Sequence, residues 1–144
     1  MSRTIGLSLV IAGLVSCFLP VSNVHGQMKD LNPKAVEIAQ LPMFCYGQMK
    51  VPNANGPAYN FPHDCGPGMN HYCPGLIHLI RGKFALKAGD RRSELLEADA
   101  YVRYTQSALL QFPECSIRGH VDATRVEIDR LMGMYRISRP KSQE

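Results

Sequence analysis

One stretch constrains this chain more than any other: His63-Asp64-Cys65-Gly66-Pro67-Gly68-Met69-Asn70-His71-Tyr72-Cys73-Pro74-Gly75. Proline removes backbone donors and fixes φ, whereas glycine adds conformational freedom. A run this rich in both is neither a regular helix nor a strand. It divides the chain, because the residues before it read as export signal and loop and those after it read as helix. Any fold must therefore attach an irregular segment to a helical one.

Arg3 is followed by an uncharged apolar run from Ile5 to Leu19. A helical span needs about 20 apolar residues, and this run is shorter and interrupted by Gly and Ser. A basic start, a short apolar core and the small residues at Val24-His25-Gly26 describe a signal peptide over residues 1–26, cut before Gln27. Leu14-Val15-Ser16-Cys17 also matches a bacterial lipobox, which would make the protein an envelope lipoprotein with Cys17 lipidated. Both readings place it in the periplasm or outside the cell, with no transmembrane helix in the mature chain. No Asn-x-Ser/Thr sequon is present.

The remainder is one small domain with a modest core. The formal net charge is +4, and the basic residues are scattered, so nucleic acid is not expected as a partner. The densest basic cluster, Arg136-Ile137-Ser138-Arg139-Pro140-Lys141, reads as a solvated tail beginning at residue 138. Four cysteines remain after the signal: Cys45, Cys65, Cys73 and Cys115. In an exported domain they are expected as two disulfides.

Residues 27–70 read as a short helix followed by a Cys-, Pro- and Gly-rich loop. Asn32-Pro33 is a helix start, with Asn as the cap, and Pro42 a stop. From Met43 to Pro62 no period survives, and Phe44, Tyr46, Tyr59 and Phe61 suggest anchoring by aromatics. Residues 71–137 then adopt the helical period. The first helix is expected over about 74–88, with Leu76, Ile77, Ile80 and Phe84 as its apolar stripe and Gly89-Asp90 as its end. The second spans about 92–112, with Leu95, Ala98, Val102 and Leu109 on one face. The third spans about 116–134, with Ile117, Val121, Ile128, Leu131 and Tyr135 on one face. The expected class is mainly α.

Gly82, Gly89-Asp90 seven residues on, and Ala108-Leu109 before Pro113 resemble a tetratricopeptide repeat (TPR), with Ala123, Leu131 and Tyr135 opening a partial second unit. The likeness covers about Tyr72 to Ile137. His78 stands where that family usually has Trp, and the second helix is about two turns longer than its standard. The run from Cys65 to Leu76 also resembles a segment of small exported bacterial proteins described as TPR-like. The resemblance implies a helical hairpin plus a third helix, and the cysteines of the long loop before it are expected to pin that loop through disulfides. It also implies a protein-binding scaffold, with His78, Arg81, Tyr101 and Tyr104 as groove residues. A fold of barely one and a half repeats leaves a helix face open, for a second copy or a larger envelope complex.

In a hairpin the start of the first helix lies beside the end of the second. That places Cys73 near Cys115 and leaves Cys45 for Cys65. Pairing Cys65 with Cys73 is the rival.

The alternative chemistry is metal binding. His63-x-Cys65 and His71-x-Cys73 are two identical two-ligand modules, with Met69 between them, and imidazole with thiolate suits zinc or copper. Oxidised cysteines cannot serve it. A free Cys73 thiol at a helix N-terminus would be acidic enough for redox work. His71 is otherwise expected to cap the first helix. Glu94, Glu97 and Asp99 read as acids favoured near a helix N-terminus. Asp122, Glu127 and Asp129 with Arg125 and Arg130 read as a solvated face. No Gly-x-Ser-x-Gly, phosphate loop, dinucleotide fingerprint or haem attachment site is present. No catalytic residues are expected.

Overall fold

The computed structural model describes residues 31–141. The export segment at 1–26, with the lipobox Cys17, lies outside the described residues. The elements are α1 (Ala35–Ile38), α2 (Tyr72–Phe84), α3 (Ala88–Leu109) and α4 (Arg118–Met134). Four 3₁₀ turns, Met43–Cys45, Pro57–Tyr59, His63–Cys65 and Pro67–His71, fill the space between α1 and α2. The class is mainly α, and among the described residues there is no strand.

The helices pack through glycines. A Cβ on Gly82 would sit 2.8 Å from the Leu95 side chain, and one on Gly75 would sit 3.0 Å from Tyr101 Cβ and 3.2 Å from Val102 Cγ2. One on Gly68 would collide with Ala108 Cβ, and one on Gly66 with the Phe112 ring. From Gly82 through Gly75 to Gly68, each step of seven residues backwards is matched by a step of six or seven forwards along α3, from Leu95 through Tyr101 and Val102 to Ala108. That is the register of an antiparallel pair brought close by absent side chains. Gly66 is also needed for its backbone, at φ 69°. Leu95, Ala98, Val102 and Leu109 are buried in the resulting core with Val121, Ile128 and Leu131 of α4, as their period requires.

This register overturns the expected disulfides. Cys45 bonds to Cys73 and Cys65 to Cys115, with Cα atoms 5.6 Å and 4.5 Å apart. α3 has 22 residues and α2 has 13. At about 1.5 Å per residue, α3 runs well past the start of α2, so Cys73 never reaches Cys115. The 3₁₀ turns 63–71 lie along that overhang and bring Cys65 to Cys115 instead. Cys73 is left for Cys45. The long loop is still pinned, but at other points.

Two helix boundaries also move. α2 stops at Phe84, and Ala85 is extended. Gly89-Asp90 is not its end but lies in the first turn of α3, where Asp90 faces the positive end of the helix. Asn32 does not cap α1. Lys34 takes that position, with its backbone N–H donating to Glu37 Oε2 at 2.7 Å. Of the stripe expected on α2, only Ile77 is fully buried, whereas Phe84 is 68% exposed.

The tail is not solvated along its length. α4 ends with Arg136 at φ 53°, Ile137 N–H donating to Met132 O at 2.8 Å, and Arg136 N–H donating to Gly133 O at 3.2 Å. This is a Schellman closure. It turns Ile137 onto the core and sends Arg139 back over α3. There Asp99, fully buried, accepts from Arg125 at 2.5 Å and from Arg139 at 3.0–3.2 Å, and Asp129 binds both arginines. So Asp99 is not a helix-dipole acid, and Arg125 with Asp129 is not simply a solvated face. A carboxylate inside the core is tolerated because two guanidiniums accompany it.

Candidate functional site

α4 packs on the flank of α3 that carries Asp99 and Gln106, whose amide donates to Asp122 at 2.8 Å. The other flank of α3 carries Glu94, Tyr101 and Tyr104, which meet side chains of α2 and of the 3₁₀ turn before it. The absent Cβ of Gly75 lets the two helices approach at Tyr101. The His78 ring stacks on Tyr101, centroids 5.4 Å apart and 11° from parallel. His71, one heptad earlier, lies 5.6 Å from Tyr101 and 4.2 Å from Tyr104. His78 Nδ1 is 2.7 Å from Glu94 Oε2. The result is a continuous strip, Glu94–His78–Tyr101–His71–Tyr104. Tyr104 is 54% exposed at its end.

Arg81 anchors the strip's far end to α1 and the segment before it. Its guanidinium donates to Glu37 at 2.8 and 3.1 Å and to Leu31 O at 2.7 Å. The Glu37 hydrogen bond raises the Arg81 pKa against its desolvation, and Glu94 adds to the effect. Glu37 is correspondingly held below the usual carboxylate range by Arg81. Tyr101 is pushed up by burial and by the charge of Glu97. Its phenol therefore stays a neutral hydrogen-bonding group.

Three of the four expected groove residues, His78, Tyr101 and Tyr104, share this strip, and Arg81 stands at its margin with its charge directed to Glu37. His71 joins them and makes no side-chain cap to α2, contrary to expectation. Its ring is occupied by the two tyrosines instead. The metal set does not assemble. Cys65 and Cys73 belong to different disulfides. Met69 is buried in the core, while His63 is exposed. Among the described residues no three His, Cys, Asp or Glu side chains converge as a metal site.

A second concavity escaped the sequence reading. Tyr72, Leu76, Ile80 and Phe84 of α2 face Thr124 of α4 and His120 across a groove of about 280 Å³. Tyr72 donates or accepts at Thr124 Oγ1, 2.7 Å away, and burial pushes its phenol up to about 12. The signal was present: Leu76, Ile80 and Phe84 are four residues apart, a stripe that runs from the edge of the core, where Leu76 and Ile80 are partly buried, out to the exposed Phe84. The buried acid had one too, since Asp99 falls at i+4 from Leu95, inside the apolar period.

No family model, no curated protein and no solved structure matches this chain.

Proposed function

We propose that this chain is a non-catalytic protein-binding module of the periplasm or cell envelope, built on a TPR-like α2–α3 hairpin. The supporting observation is the strip Glu94–His78–Tyr101–His71–Tyr104. It is half-exposed, rich in aromatic rings and fixed on α2, α3 and the 3₁₀ turn that leads into α2, with α2 and α3 in glycine-mediated contact. Rigid tyrosines lose little entropy on binding and are enriched in interface hot spots. Two disulfides suit an oxidising compartment.

The test is site-specific photocrosslinking in the producing cell, with the reactive group at Tyr104 and, as control, at the exposed Val126 of α4. A discrete protein adduct from position 104, absent from 126 and lost on Tyr101→Ala or His71→Ala, is the expected result. Equal adducts from both positions, or none from 104, would overturn the reading.

A further inference from the structure

The turn between α2 and α3 reads Lys83-Phe84-Ala85-Leu86-Lys87. Its two large apolar side chains point into solvent: Phe84 is 68% and Leu86 97% exposed. Val36, 65% exposed, shares a cleft with Phe84, Ile80 and Lys34. The turn is held in this form rather than free to bury them. Arg91 donates to Ala85 O at 2.5 Å, and its guanidinium lies 4.4 Å over the Tyr135 ring.

The charges around this tip are mostly positive. Lys87 and Arg92 are exposed and make no ion pair among the described residues. Lys83 shares Glu127 with Arg130. Asp90 is the one acid between Lys83 and Arg92. The opposite end of the hairpin differs. Leu110 is 77% exposed there, yet Arg118 turns inward onto the carbonyls of Leu109, Phe112 and Pro113. Glu114 and Asp64 are the charges left beside that turn. Exposed leucine occurs at both ends, and among the described residues only the α2–α3 tip sets exposed cations without an ion pair, Lys87 and Arg92, beside it.

We infer that the Phe84–Leu86 tip is a membrane-contact site, which seats its apolar side chains among the headgroups of an anionic lipid bilayer. A protein partner needs a continuous patch of about 800 Å² per side, which one projecting turn does not offer. A bilayer interface accepts apolar side chains separately and attracts each Lys or Arg on its own. The inference goes beyond the protein-binding reading and does not depend on it, since the tip and the strip use different residues.

The chain contains no Trp, so Leu86→Trp supplies a single fluorescent reporter and Leu110→Trp its control. The purified protein is titrated with phosphatidylcholine vesicles, with and without phosphatidylglycerol. Position 86 should blue-shift only with the anionic vesicles, and position 110 should not. In sedimentation with the same vesicles, Phe84→Ser/Leu86→Ser should weaken binding on the order of tenfold or more. Lys87→Gln/Arg92→Gln should weaken it several-fold and flatten its salt dependence. Helical circular dichroism checks that these surface variants fold. Absence of binding to anionic vesicles, or equal binding by the tip variant, would overturn the inference. So would a crosslinker at position 86 that captures one protein while vesicles capture nothing.

Discussion

Residues 31–71 and residues 72–141 are held in place by different means. The first region has one four-residue α-helix and four 3₁₀ turns. It has no period with which to bury a face. The second is three helices whose apolar residues recur at helical spacing and whose glycines admit close packing. Both disulfides run between the two regions, Cys45 to Cys73 and Cys65 to Cys115. The expected pairing would have closed one bridge within each region. The difference teaches where covalent staples are needed: not inside a helical hairpin that packs unaided, but between it and a loop that does not.

The sharpest way to break this contrast is to remove both bridges by Cys→Ala substitution at all four positions. Loop-closure entropy for separations of 28 and 50 residues assigns each about 4 kcal/mol. Residues 43–69 should lose amide protection first, while α3 stays protected in hydrogen exchange. Simultaneous loss of α3 protection would show that the helices also depend on the staples.

The reverse experiment strikes the helical region alone. Asp99→Ala leaves Arg125 and Arg139 without their shared buried acceptor. Because Asp129 still accompanies both arginines, the expected cost is about 1–3 kcal/mol, measured by urea unfolding, with the Arg139 tail released from α3. A loss under about 1 kcal/mol would show that the cluster does not hold the tail.

Gly82→Ala probes the glycine packing itself. The new methyl would lie 2.8 Å from Leu95, so the helices must separate or Leu95 must change rotamer. About 1–3 kcal/mol should be lost, with protection falling in α2 and α3 and unchanged between residues 43 and 59. Unaltered stability would mean that the hairpin has slack at this point.

The smallest effect lies at the seam between the regions. The Tyr72 ring stacks with Phe44, centroids 6.3 Å apart, and its phenol is buried against Thr124. Its folded pKa, raised by desolvation to about 12, exceeds the ordinary value of 10.0. The associated stability is complete below pH 10 and is lost as pH rises towards 12, to the extent of about 2 kcal/mol. Alkaline melts should show this fall, and Tyr72→Phe should remove it while forfeiting about 1 kcal/mol from the hydrogen bond. A fall of the same size in Tyr72→Phe would assign the alkaline loss to another group.

Much of the helical region was legible. Leu95, Ala98, Val102 and Leu109 recur at helical intervals, and each is buried as that period demands. The strip was partly legible, since His78, Tyr101 and Tyr104 were expected together. His71 was not placed among them, because a histidine before a helix reads equally as a cap. Asp99 went unread because an acid early in a helix has an adequate local reason. Its burial follows from the packing of α4 on α3 and from the arrival of Arg125 and Arg139, 26 and 40 residues away in the chain.

By itself the sequence determined the helical class, the faces of α3 and α4, and the need to tie an irregular segment to them. These come from short-range rules: periodicity, proline and glycine stereochemistry, and a cysteine count. Tertiary structure decided the disulfide partners, the burial of Asp99 and the open stripe of Leu76, Ile80 and Phe84. Each depends on the lengths and register of neighbouring helices. α3 overhangs α2, and that overhang carries Cys65 to Cys115 and leaves Cys73 for Cys45. A difference in helix length acts across the whole hairpin, so no local pattern of residues encodes it.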